Sequence, residues 1–259
     1  AGRTLRRNAM SYALPTGADH HVGTFVKTTS PQVIEILGGS GLDFAVLDAE
    51  HAPYDRAALD LAMIAGRAVG LPLFVRVQER SAAGLLSVLD MGAAGVLVPH
   101  VDTEQDAREV VAHCRYAGGD RGYSSSPRAA GYGTLGMKQA IAQGDRNLVV
   151  CQVESVPGVE NAARIAAVPG VAALFIGRAD LALSMGLDNA QEPRVLEAAE
   201  HVVRVAVAAG KAAGMFVGSV AEREKYRALG VSWFIHGSDQ SFLRQAAQAA
   251  ARPRSPESA

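Results

Sequence analysis

Short apolar runs recur along the chain, separated by longer stretches whose apolar residues return every three or four positions. The runs Val22–Val26, Phe44–Asp48, Leu73–Val77, Gly95–Pro99, Leu148–Glu154, Ala173–Ile176, Gly214–Val217 and Trp233–His236 read as strands. In Asp55–Val69, Leu61, Ile64, Ala65 and Ala68 recur at helical spacing. Ser81–Met91, Thr103–Tyr116, Leu135–Gln143, Glu160–Ala167, Pro193–Ala209, Ala221–Leu229 and Ser241–Ala251 read the same way. Gly92, Gly210 and Gly230 follow helical segments as stop signals. Alternating strands and helices build a parallel sheet, and strands apolar on both faces agree with one.

A (β/α)8 barrel typically needs ~250 residues, and this chain has 259. The expected fold is therefore a TIM barrel in one domain, residues 1–259, with an N-terminal extension at 1–20 and a disordered tail at 252–259. Nothing reads as a linker between domains. The Gly/Ser/Arg/Tyr-rich stretch Gly118–Gly133 leaves room for an irregular strand around Arg121-Gly122. Counting it, the run ending at Glu154 is the sixth strand and the run before Asp180 the seventh.

Composition narrows the function. Formal net charge is -1 and aromatics are 5% of residues, so neither a basic field nor a stacking platform for nucleic acid is expected. No apolar stretch approaches the ~20 residues of a membrane span. Arg3–Leu14 lacks the apolar core of a secretion signal. Cys114 and Cys151 form no disulfide framework or CxxC site, and Cys151 sits in an apolar run, which points to a reducing cytoplasm. No GxGxxG or Walker A pattern follows a strand, which argues against nucleotide binding.

The C-terminal ends of barrel strands carry the chemistry of this fold, and here they are unusually polar. Asp48 and Glu50 share parity, with His51 just beyond. His51 reads as a general base or, more plainly, as a helix cap on a hydrated loop. Arg76 shares parity with Phe74 and reads as an oxyanion partner or as half of an ion pair with Glu79 or another acid. Gln152 and Glu154 point one way while Cys151 and Val153 face the helices. Asp180 opens a short helical stretch, as a helix cap or as a second carboxylate beside Glu154. Two carboxylates with open positions suit Mg²⁺ or Mn²⁺ better than Zn²⁺, which would want several His or Cys ligands. Gly237-Ser238-Asp239 reads as a helix cap rather than an anion site. The loop Asp120–Gly133 is expected to cover the mouth.

Asp48-Ala49-Glu50-His51, Arg76, Gln152-Val153-Glu154 and Gly177-Arg178-Ala179-Asp180-Leu181 together resemble the HpcH/HpaI family of class II aldolases, in order, from about Gly23 to the last helix. That family includes 4-hydroxy-2-oxoheptanedioate aldolase and 2-keto-3-deoxy-sugar-acid aldolases. The resemblance implies that His51 is the base and that Asp90, from a neighbouring subunit, raises its basicity. It implies that Arg76 stabilises an enolate, and that Glu154 and Asp180 hold a divalent cation: Mg²⁺ or Mn²⁺, with Co²⁺ as an alternative. Gln152, Ala179 and Asp180 then contact a 2-oxo acid, pyruvate or hydroxypyruvate, and Tyr123 lines the pocket of the aldehyde. The implied fold exchanges its last helix between protomers in a homohexamer, a trimer of dimers. The implied reaction makes or cleaves 4-hydroxy-2-oxo acids. Decarboxylation of an oxaloacetate-type diacid on the same site is an alternative, as is a barrel that only binds 2-oxo acids. Lys27, at the end of the first strand, is the one lysine placed for a Schiff-base mechanism. Arg178 stands where the family commonly has Pro. His100 and His236 read as polar rim residues.

Overall fold

Eight parallel strands close into a barrel, each hydrogen-bonded to its sequence neighbours, with β8 returning to β1. They are β1 His21–Val26, β2 Phe44–Asp48, β3 Leu73–Arg76, β4 Gly95–Val98, β5 Leu148–Val153, β6 Val171–Ile176, β7 Ala212–Val217 and β8 Val231–Ser238. Around them run α1 Pro31–Gly38, α2 Arg56–Val69, α3 Ala82–Asp90, α4 Glu104–Cys114, α5 Met137–Gly144, α6 Val156–Ala167, α7 Arg178–Ser184, α8 Pro193–Ala208, α9 Val220–Ala228 and α10 Asp239–Ala250. This computed structural model describes residues 12–15 and 19–251. Residues 1–11 and 16–18 of the expected extension, and the expected tail, lie outside the described residues. Among the described residues, no helix is long and apolar enough to cross a membrane.

The expected TIM barrel is present, with two corrections. No strand forms around Arg121-Gly122. β4 pairs directly with β5, Gly95 opposite Leu148, so Glu154 follows the fifth strand and Asp180 the sixth. Gly118–Gly133 carries too many turn-forming residues to extend, and its only regular piece is a 3₁₀ turn over Arg128–Gly133. In addition, α1 escapes a periodicity reading because its eight residues are too few to establish a period. α6 also begins earlier than expected: Ser155 caps it through Gly158 N–H, and Pro157 is tolerated in its first turn.

Local chemistry sets the helix ends. Asp55 accepts from Ala58 N–H at the start of α2, and Ser81 caps α3 through Gly84 N–H. Thr103 and Asp106 form a reciprocal capping box at α4.

Inside the barrel, residue character changes with height. The inward positions of β2 read Phe44, Val46, Asp48 from bottom to top. Those of β3 read Phe74, Arg76, and those of β5 read Val150, Gln152. Phe44, Val46, Phe74, Val150, Trp233 and Ile235 form one interior cluster, while Ala45, Leu47, Val75, Cys151 and Val153 belong to the larger core beneath the helices. At the N-terminal mouth Trp233 stacks on Phe44 with ring centroids 4.5 Å apart. Tyr12 closes this end, its ring 5.3 Å from Phe74 and its hydroxyl accepting from Trp233 Nε1 at 3.2 Å. Gly23 is required here, because a Cβ on it would lie 2.4 Å from the Phe44 ring.

Candidate active site

At the C-terminal mouth the pattern reverses. Asp48 is fully buried (0 % exposed) and is the hub. Its β-strand partner is Arg76, whose guanidinium grips it with two bonds, Nε to Oδ1 at 3.0 Å and Nη2 to Oδ2 at 2.8 Å. Lys27 Nζ lies 2.9 Å from Oδ2, and the backbone N–H of His51 donates to Oδ1 at 3.1 Å. Burial pushes the Asp48 carboxyl up, but Arg76, Lys27 and the His51 N–H outweigh it and hold the group below its ordinary value. Arg76 also lies 3.3 Å from Glu50 Oε2 and sits over the Phe25 ring at 4.5 Å. Its ion-pair partners are thus Asp48 and Glu50. Glu79 instead accepts from Ser81.

His51 does not cap a helix, since Asp55 caps α2. Its ring is 55 % exposed at the rim, with Nε2 3.6 Å from Glu50 Oε2. That oxygen of Glu50 is buried and, although Arg76 faces it, accepts no well-formed hydrogen bond.

Glu154 is the deepest acid on the opposite wall, 2 % exposed. Gln152 Nε2 donates to its Oε2, and the backbone N–H of His100 donates to Oε1 at 2.8 Å. Burial pushes the Glu154 carboxyl above its ordinary value, and the nearby charge of Asp180 adds to the push, against the pull of Gln152 and His100. Gly177 leaves room for this carboxylate, because a Cβ there would lie 2.7 Å from Oε2. Asp180 stands in the first turn of α7, whose N-cap is Gly177 with no side-chain cap bond, so Asp180 is not a cap. It borders a cavity of about 350 Å³ together with Arg76, Gln152, Ala179, Phe25 and Phe216. Gln152 Oε1 is buried there without a partner.

This geometry fits a divalent cation. A desolvated carboxylate pushed toward protonation, with a second one nearby and an orphaned amide oxygen on the same wall, is a hard-oxygen donor set in need of positive charge. Among the described residues, no three His, Cys, Asp or Glu side chains close around one point. A cation here would have Glu154 and Asp180 as its carboxylate ligands, with positions left open.

His51, Arg76, Gln152, Glu154, Ala179 and Asp180 therefore gather at one mouth. Asp90 and Tyr123 do not join them within one chain. Asp90 ends α3 at the N-terminal face, where Arg121 Nη2 donates to it at 2.9 Å. Arg121 also donates to Asn147, just before β5. Tyr123 packs edge-on against Tyr116 there, 5.9 Å between centroids. The loop Asp120–Gly133 thus lies at the end of its own barrel opposite the site, not over it.

Other rim residues resolve clearly. Ser238 caps α10 and Asp239 accepts from the N–H groups of Lys27 and Thr28, leaving no anion site. Arg178 is a clamp: Nη2 donates to Glu222 at 2.6 Å and to the Phe216 carbonyl at 3.1 Å, tying the start of α7 to β7 and α9. His236 turns toward Phe242 of α10. Cys151 is buried, and burial pushes its thiol up to about 12. Two features were missed from sequence. Asp48 as hub could have been found from its inward parity with Val46. The grip of His100 on Glu154 depends on a backbone turn that no residue spacing announces.

Known proteins share this fold. The family model described as HpcH/HpaI aldolase/citrate lyase matches residues 21–246. A 5-keto-4-deoxy-D-glucarate aldolase of Shigella dysenteriae serotype 1 is 36% identical over 230 residues, 88% of this chain and 89% of the relative. The crystal structure of a HpcH/HpaI aldolase/citrate lyase family protein from Burkholderia cenocepacia J2315 superposes with TM-score 0.85 at 34% identity, covering 90% of this chain and 94% of that one. That of the citrate synthase SbnG superposes with TM-score 0.82 at 28% identity, covering 90% and 92%. The chain belongs to the HpcH/HpaI aldolase/citrate lyase family.

Proposed function

We propose that the chain is a divalent-metal-dependent aldolase that makes or cleaves 4-hydroxy-2-oxo acids, with pyruvate or hydroxypyruvate as the donor. Its family already makes it a carbon–carbon lyase. The observation that carries the finer reading is buried Glu154, which feels the charge of Asp180 and is bonded by Gln152, beside a cavity that Asp180, Gln152 and Arg76 line.

Glu154 and Asp180 would hold Mg²⁺, Mn²⁺ or Co²⁺, which when bound supplies Lewis-acid polarisation of the donor's C2 carbonyl. Arg76 is fixed by Asp48 before substrate arrives, so its guanidinium meets the developing enolate charge without reorganising. Gln152 and the backbone at Ala179 orient the 2-oxo acid from the cavity wall. His51, its backbone pinned by Asp48 and its ring open to the mouth, moves the proton of the 4-hydroxyl group.

Asp90 and Tyr123 would reach the site only from another copy, as Asp90 of the partner subunit and Tyr123 of the partner subunit. α10 supports an assembly with helix exchange. It has no buried residue, and Leu243 is 73 % exposed. A hexamer built from dimers would cover that face.

The test is cleavage of 5-keto-4-deoxy-D-glucarate, the compound named for the relative, followed by pyruvate release. Activity should vanish with a chelator, return with Mg²⁺ or Mn²⁺, and be absent in Glu154→Ala and Asp180→Ala. Turnover that survives chelation and both substitutions would reject the metal reading. Borohydride trapping at Lys27 would replace it with a Schiff-base mechanism.

A further inference from the structure

His100 follows β4 and Pro99 with its backbone in the left-handed region, at φ 53°. A non-glycine residue held in such a region is strained and persists only where its surroundings over-determine it. Here the surroundings are Glu154. The strained turn aims the His100 N–H at Glu154 Oε1, 2.8 Å away. It also folds the imidazole back over the same carboxylate, with Nδ1 3.2 Å from Oε1. The far edge of the ring, Nε2, lies 3.6 Å from Glu50 Oε1.

Glu154 is thus held from two sides. Gln152 takes Oε2, the His100 N–H takes Oε1 with Nδ1 alongside, and Gly177 after β6 leaves the space behind it. The ring of His100 is 63 % exposed, so packing does not explain its orientation. An ordinary rim histidine would need no left-handed backbone and no second contact to an oxygen its own N–H already holds.

We propose that His100 is a positioning residue of the cation site: its backbone N–H, with Nδ1 beside it, sets the Glu154 carboxylate in its metal-binding orientation. This rests on the reading of Glu154 as a metal ligand. Groups that orient a metal ligand in this way are worth 10–100-fold in metal affinity when removed.

The test is Mn²⁺ binding to the substrate-free full chain, read by the electron paramagnetic resonance signal of free Mn²⁺. His100→Gly removes the ring, keeps the N–H and relieves the backbone, so it should fold and bind Mn²⁺ about 10–100-fold more weakly. His100→Asn tolerates the left-handed backbone and places an amide nitrogen near the position of Nδ1, so it should recover most of the loss. His100→Gln reaches instead toward the position of Nε2 and should remain weak. It serves as the ring-loss variant should His100→Gly not fold. Affinity unchanged in the ring-loss variant overturns the proposal. Tighter binding overturns it too, because the ring would then compete with the cation. Glu154→Ala separates the two readings. If it too leaves Mn²⁺ binding unchanged, the metal assignment fails and takes this proposal with it. If it abolishes binding while the His100 variants match wild type, only the role of His100 fails.

Discussion

The two mouths of the barrel are built from the same strands and solve opposite problems. At the N-terminal mouth, inward positions are aromatic: Phe44, Phe74 and Trp233 pack on one another and Tyr12 closes over them. Nearly all of that end's free energy comes from removing apolar surface from water. At the C-terminal mouth, one or two inward positions higher on the same strands, stand Asp48, Arg76 and Gln152. These groups lose hydration on burial and are compensated by polar partners around the same mouth: Asp48 by Arg76, Lys27 and the His51 N–H, and Gln152 by Glu154. A charge cluster of this kind is poor evidence of stability and good evidence of use. The bottom of the barrel keeps the strands in register so that the top can hold charges that do not favour folding.

Arg76→Ala breaks this division most sharply, because Arg76 serves both purposes. Removing a donor aimed at developing charge typically lowers kcat by about 10²–10³. The fully buried Asp48 adds a cost to the fold. Stranding one half of a buried pair costs about 3–5 kcal/mol, and the Lys27 contact at 2.9 Å should reduce the loss to the lower part of that range. Arg76→Lys keeps a charge on Asp48 but not the two-pronged grip, so it should recover stability and not activity. Urea unfolding together with kcat checks this; Arg76→Ala as stable as wild type would mean that Lys27 alone satisfies Asp48.

Trp233→Ala tests the other mouth. A buried Trp truncated to Ala typically costs about 3–5 kcal/mol, and Trp233 touches Phe44, Phe74, Phe175 and Tyr12. The loss should appear in urea unfolding while Mn²⁺ affinity per folded molecule stays at the wild-type value. A parallel fall in affinity would mean that the two ends are mechanically coupled.

How much of this could be read from sequence follows the same vertical division. The barrel was legible because strand and helix periods differ and each strand is short and apolar. The inward parity of Asp48, Arg76 and Gln152 was legible because side chains alternate strictly along a strand. Beyond the last strand residue, parity stops working. His100 and Glu154 meet through a left-handed turn, and Lys27 reaches Asp48 from a strand end, so both needed three-dimensional structure. The loop 120–133 was misplaced for a related reason. A Gly- and Ser-rich stretch states that the chain turns, but not at which end of the barrel. Asp90 shows the remaining limit: its own chain places it at the opposite end of the barrel, and the role proposed for it needs a second copy.

The smallest effect concerns Glu154 in the metal-free protein. Burial lifts its pKa above the ordinary 4.5, so the folded chain binds that proton more tightly than the unfolded chain does. Its contribution to stability is then complete below 4.5 and is lost as pH rises through the raised folded value. Asp48 has the opposite sign. Its folded pKa lies below the ordinary 3.8, so its contribution is present above that value and is lost as pH falls through the lower folded one. Metal-free wild type should therefore be more stable at mildly acidic pH than at neutral pH. Glu154→Gln, which carries no charge at either pH, should remove that difference. Urea unfolding of both proteins in chelator measures the two slopes. Parallel slopes would place the strain of the upper mouth on some group other than Glu154, and would weaken the contrast between a mouth that stabilises the fold and one that waits for a cation.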